Sequence, residues 1–246
     1  MENSLWIIMG PALCAGLLTC LTHVPLGQEV LKRGIIFIDL AIAQIAALGV
    51  VAVNAFAGEG ASPFLVYVVA LLFALFAAFC FNKTEKLFPK LQEGLIGASF
   101  VVASSISLLM LAKEPHGGEA TQSMLAGQIL WVSWQQLAIT AVIYSAILTI
   151  WLKVKSREKW FYYLFAATVT VSVQLVGVYL VFASLILPAL ATSNVKRRTL
   201  AGYGVSLVSL LLGVLISIKI DLPTGPTLVC TLAIVSLIYY ALAKRL

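Results

Sequence analysis

Residues 160–191 read WFYYLFAATVTVSVQLVGVYLVFASLILPALA, an uncharged stretch on whose reading the architecture turns. A helix needs about 20 residues to cross the ~30 Å hydrocarbon core of a bilayer. The stretch is long for one crossing and short for two, and Gly177 offers a turn in its middle. Working outward, further apolar runs cover about 5–22, 35–57, 62–81, 95–112, 134–152, 200–218 and 226–243. Splitting the central stretch into 160–177 and 178–193 makes nine. No alternating ten-residue strand pattern occurs, and a helix satisfies its backbone hydrogen bonds within its own segment, so the runs are read as helices.

Charge decides between one crossing and two. With nine spans, Lys32/Arg33, Lys83/Lys86/Lys90, Lys153/Lys155/Arg157/Lys159, Lys196/Arg197/Arg198 and Lys244/Arg245 fall at every second connection, 14 of the 16 basic residues. Lys113 and Lys219 remain on the other side, with Glu2, Glu59, Glu114, Glu119 and Asp221. The positive-inside rule then puts the N-terminus outside and the C-terminus in the cytoplasm. One fused span would strand a basic cluster on the wrong face.

Composition agrees. Of 246 residues, 61% are hydrophobic and 11% charged, with a mean hydropathy of +1.04. A soluble domain carries about 25% charged residues, so lipid is the solvent for most of this chain. The expectation is an all-α polytopic membrane protein of about nine transmembrane helices, residues 1–246 forming a single transmembrane domain. Nine spans leave no length for a soluble domain, so an energy-converting machine must be another chain. The net charge of +6 is absorbed by topology and calls for no nucleic acid. Cys14, Cys20, Cys80 and Cys230 lie in apolar stretches without CxxC spacing and read as small buried hydrophobes. Met1–Ser4 lacks the basic start of a leader peptide, so the first run reads as a retained span.

Few residues could carry chemistry. Asp39 is the one ionisable side chain placed inside the membrane, either marking a pathway or pairing with Lys32 or Arg33. Gln44 follows in the same span, but five residues at 100° each set the two about 140° apart around the helix. Gln174 and Asn54 are further polar groups in apolar surroundings, suited to a path or to helix–helix hydrogen bonds. In the outer loop Glu114, His116 and Glu119 offer zinc or manganese ligands, or are simply solvated. Lys155, Arg157 and Lys159, and Lys196, Arg197 and Arg198, face lipid headgroups or dock a cytoplasmic ATPase. HExxH, GxSxG, paired intramembrane aspartates and GxxxxGK[ST] are all missing, so the chain is read as no enzyme and as unable to hydrolyse ATP by itself.

Several stretches resemble the membrane permeases of zinc/manganese-type ABC importers. They are Val173–Ala191 with its Gln174, Gly177 and Pro188-Ala-x-Ala191, Asp221-Leu-Pro-Thr-Gly-Pro226, Ser123–Ser133, and Lys32–Gly49. In that family the second span usually carries an Asp and, four residues on, a His. Aligned on Gly49, Gln44 here takes the His position and Leu40 the Asp position, with Asp39 displaced by one. The longer cytoplasmic segment that family members carry after the fifth span is reduced to 154–159.

The resemblance implies a multi-pass permease domain in the bacterial cytoplasmic membrane. Its implied partners are a second permease copy in a homodimer, a cytoplasmic ATPase subunit and an external metal-binding protein. A divalent metal, zinc before manganese, would be transported with no stably bound cofactor. The implied pathway residues are Asp39, Gln44 and Gln174, and the implied ATPase contacts are the two basic segments with Pro188. A self-sufficient ion-coupled secondary carrier is the alternative. Such carriers usually show internal repeats and several intramembrane charges, of which this chain shows no evident repeat and one acid.

Overall fold

The computed structural model describes residues 2–57, 61–111, 125, 127, 129–153 and 157–243, without the side chains of 2–9, 57 and 157–159. Among the described residues there are nine α-helices and no strand: α1 (Glu2–Arg33), α2 (Ile38–Ala57), α3 (Pro63–Leu87), α4 (Gln92–Leu111), α5 (Trp134–Lys153), α6 (Arg157–Val176), α7 (Val178–Ala191), α8 (Arg198–Ile220) and α9 (Thr224–Ala243). Each apolar run lies on its own helix. Seven are long and apolar enough to cross a membrane, while Trp160–Val176 and Val178–Ala191 are shorter. The break between these two falls on Gly177, whose φ of 83° is open to glycine and strained for other residues.

The first helix departs from expectation. Its run ended near residue 22, yet α1 continues through Pro25 to Arg33. Hydropathy alone reads Thr19, Thr22 and His23 as the polar edge of a span. The two threonine hydroxyls, however, fold back onto the helix, Thr19 Oγ1 donating to the Ala15 carbonyl at 2.8 Å and Thr22 Oγ1 to that of Thr19 at 3.1 Å. Internal satisfaction of this kind lets polar residues and proline persist in a membrane helix.

The contacts divide the chain into two units. One holds residues 1–33, 125–148 and 172–246, the other 34–124 and 149–171. In the first, α7 packs against α1, α8 and α9. The backbone of Gly27 sits so close to the Leu185 carbonyl that no side chain fits between them. Gly127, at φ 69°, lies equally close against Val176 and Gly177, bracing the break in the helix.

In the second unit, α2 packs against α3 and α4. Gly49 admits the ring of Phe73, and Ala70, Ala74, Ala77 and Ala78 make the inner face of α3 thin enough for close helix contact. Phe161 stacks on Phe165 at 5.3 Å and meets Tyr162 edge-on, while the Gln92 amide donates to the Phe81 carbonyl at 3.0 Å. Outward faces are apolar, with Phe64 78% and Leu109 74% exposed, as side chains in contact with lipid should be.

Candidate functional site

Asp39 stands in the first turn of α2 and is buried. Both carboxylate oxygens lack a hydrogen-bond partner among the described residues, although the amides of Asp39 and Leu40 lie beside them. Arg33, one of the cations the sequence offers it, is bound to Glu29 at 3.1 Å. Glu93, in the first turn of α4, brings a second carboxylate near. Its Oε1 accepts the Phe37 amide at 3.2 Å, and its Oε2 is buried without a partner. Two incompletely satisfied carboxylates this close are relieved by taking up either a proton or a cation. Gln44 is half-buried, on a different face of α2 from Asp39. Gln174 is exposed on the part of α6 that belongs to the other unit, and Asn54 is exposed near the end of α2.

A second polar region lies in the first unit, and the sequence reading missed it. His23 is 0% exposed inside an apolar span, so Asp39 is not the only ionisable group at membrane depth. Its Nδ1 lies 2.8 Å from the Thr19 carbonyl, which can only accept, so Nδ1 carries the proton there. In the neutral ring Nε2 is then an acceptor, and it is buried with no partner among the described residues. The Tyr144 hydroxyl pairs with that of Ser172, close to Thr19 and Thr22. Thr19 also lines a cavity of about 30 Å³ with Gly16, Cys20, Ser184, Ser206 and Ser209, room enough for a water molecule. A histidine nine residues before Lys32 looks interfacial to a hydropathy window. Pro25, two residues on, reads as a helix end, yet membrane helices tolerate proline and α1 runs on to Arg33.

Of the other candidate positions, those around the end of α7 begin buried and become exposed further along the turn. Pro188 is buried, and its carbonyl accepts both the amide and the hydroxyl of Thr192, at 3.1 and 2.7 Å. Lys196, Arg197 and Arg198 follow, all exposed. Arg157 and Lys159 fall in the first turn of α6, with side chains outside the described part; Lys155 and the outer-loop trio Glu114, His116 and Glu119 lie outside the described residues altogether. Among the described residues no three His, Cys, Asp or Glu side chains converge as a metal cage.

The model of the ABC 3 transport family matches residues 6–158 and 148–243. The chain is 23% identical over 184 residues to a protein of Chlamydia trachomatis named "Probable metal transport system membrane protein", a match covering 65% of this chain and 63% of that one. A protein of the same name from Chlamydia muridarum is 22% identical over 190 residues, covering 67% and 65%. The chain thus spans just under two thirds of the length of these curated relatives. Its fold is similar to that in a structure of PsaBC from Streptococcus pneumoniae in complex with Fab, with a TM-score of 0.73, 18% identity, and 95% of this chain and 91% of that one covered.

Proposed function

The chain belongs to the ABC 3 transport family, and from that membership we propose that it is the membrane-spanning permease subunit of an ATP-driven importer for a divalent transition metal, zinc before manganese. The observation that carries the reading is the family match, which runs through both halves of the chain. The names of the chlamydial relatives support a metal as cargo. The missing phosphate-cradling motif supports a division of labour in which a cytoplasmic ATPase subunit supplies the energy. An external metal-binding protein delivers the ion, and a second copy of the chain completes the path in the bacterial cytoplasmic membrane.

In this reading Asp39 lies beside the path, with Gln44 and Gln174 as further polar stations. The outer-loop residues Glu114, His116 and Glu119 act in capture. Lys155, Arg157 and Lys159, with Pro188 and the exposed Lys196, Arg197 and Arg198, transmit the closing of the ATPase. The lack of a three-ligand cage among the described residues suits a conduit, because an importer must release its ion as readily as it takes it.

The test is a complex of permease, ATPase and binding protein in proteoliposomes. ATP hydrolysis stimulated by the zinc-loaded binding protein, with uptake of zinc, is the expected outcome. Absence of stimulation, or uptake by the permease alone down an ion gradient, overturns it.

A further inference from the structure

We propose that Cys20 and His23, one turn apart on α1, form a transient intramembrane binding step for the transported metal, and that the thiol biases this step toward zinc over manganese. The inference rests on the metal-importer reading and deepens it. Residues three apart on a helix have Cβ atoms about 5–6 Å apart, and a helical side chain leans back over the residues three and four before it. His23 accordingly leans back over the preceding turn, where its Nδ1 is bonded to the Thr19 carbonyl, and Cys20 stands three residues before it on the same helix. Such a bond to a carbonyl is how metal-binding histidines are oriented, leaving the other nitrogen to coordinate. Here that other nitrogen, Nε2, is buried and unpartnered among the described residues.

Cys20 borders the cavity that Thr19, Ser184, Ser206 and Ser209 also line. The buried Ser206 hydroxyl lies against the Cys20 thiol. A cavity with room for a water, flanked by hydroxyls, can complete the coordination of an ion that holds one nitrogen and one sulfur. Two protein ligands make a weak site, as a conduit requires, and sulfur with imidazole prefers zinc, whereas manganese prefers oxygen. No atom is oxidised or transferred; the thiol loses its proton as the metal binds and regains it on release.

The test uses the complete transporter with its ATPase and binding protein. His23→Asn keeps a donor that can reach the Thr19 carbonyl and removes the position of Nε2. Cys20→Ser keeps the shape and removes the soft ligand. Each should lower zinc uptake about tenfold or more, and Cys20→Ser should shift the zinc-to-manganese uptake ratio toward manganese, which a purely structural role would not do. In a chain carrying Cys14→Ser, Cys80→Ser and Cys230→Ser, zinc should slow methanethiosulfonate labelling of Cys20, and His23→Asn should abolish that protection. Wild-type uptake and an unchanged metal ratio in both variants, or labelling indifferent to zinc, overturns the inference while leaving the importer reading intact. A wild-type complex that carries no metal overturns the importer reading and this inference with it.

Discussion

Gly27 and Gly204 are both helical glycines, yet a methyl group at the two positions should act in opposite directions. At Gly27 the new carbon would press on the Leu185 carbonyl and force α1 from α7, two backbones with no flexible side chain between them to yield. Gly27→Ala should destabilise by about 1–3 kcal/mol. At Gly204, exposed on α8, the carbon meets nothing within 4 Å, and Gly204→Ala should gain about 0.5–1 kcal/mol from the stiffer unfolded backbone. Thermal melts of the purified protein in detergent check both. Asp39 poses a different question, because its carboxylate is buried without good hydrogen bonds. Asp39→Asn removes a charge that the fold does not satisfy, so the melting midpoint should hold or rise while metal uptake falls about tenfold. A lower midpoint with normal uptake would make Asp39 structural. Asp39 was legible in the sequence as a lone acid in an apolar run. His23 was not, because its burial depends on α1 continuing past a proline, which a hydropathy window does not see.

At the scale of elements, each of the nine apolar runs lies on a helix among the described residues, because length and hydrophobicity alone select a membrane helix, with no long-range pairing to guess. Their ends were less legible. Thr19 and Thr22 carry the first helix onward by bonding its own carbonyls, and Pro89–Leu91 adds a 3-10 turn before α4 that no hydropathy pattern marks. The break at Gly177 was legible as a lone glycine in a long span, and its reason is now local. With φ 83° and ψ 161° it occupies a region nearly closed to other residues, and Gly127 packs on the same joint. Gly177→Ala should therefore destabilise by about 1–3 kcal/mol, read as an earlier melt in detergent. An unshifted midpoint would mean that the joint relaxes into a different turn.

At the scale of the whole molecule, the parity of crossings fixes which loops meet the cytoplasm. A helix rises 1.5 Å per residue, so α6 with 20 residues is about 30 Å long and α7 with 14 about 21 Å, against a ~30 Å core. A helix facing lipid would be too short at 21 Å, but α7 is enclosed. Val178, Leu180, Val181, Leu185 and Ile186 are buried against α1, α8 and α9, so its ends can finish inside protein. One end does so visibly, where Thr192 takes the Pro188 carbonyl. Its shortness is thus no argument against a second crossing, and the charges favour one. A single crossing from 157 to 191 would set the cluster around Lys153 and that around Lys196 on opposite faces, against the bias that orients membrane helices. Alkaline phosphatase fused after Lys155, after Val195 or after Leu246 should therefore be inactive, and fused after Asp221 active, with green fluorescent protein showing the reverse pattern. Fusions at 155 and 195 that report opposite sides would make the stretch one broken span and remove the coupling role from one of the two basic segments, since an ATPase can touch only the face it shares.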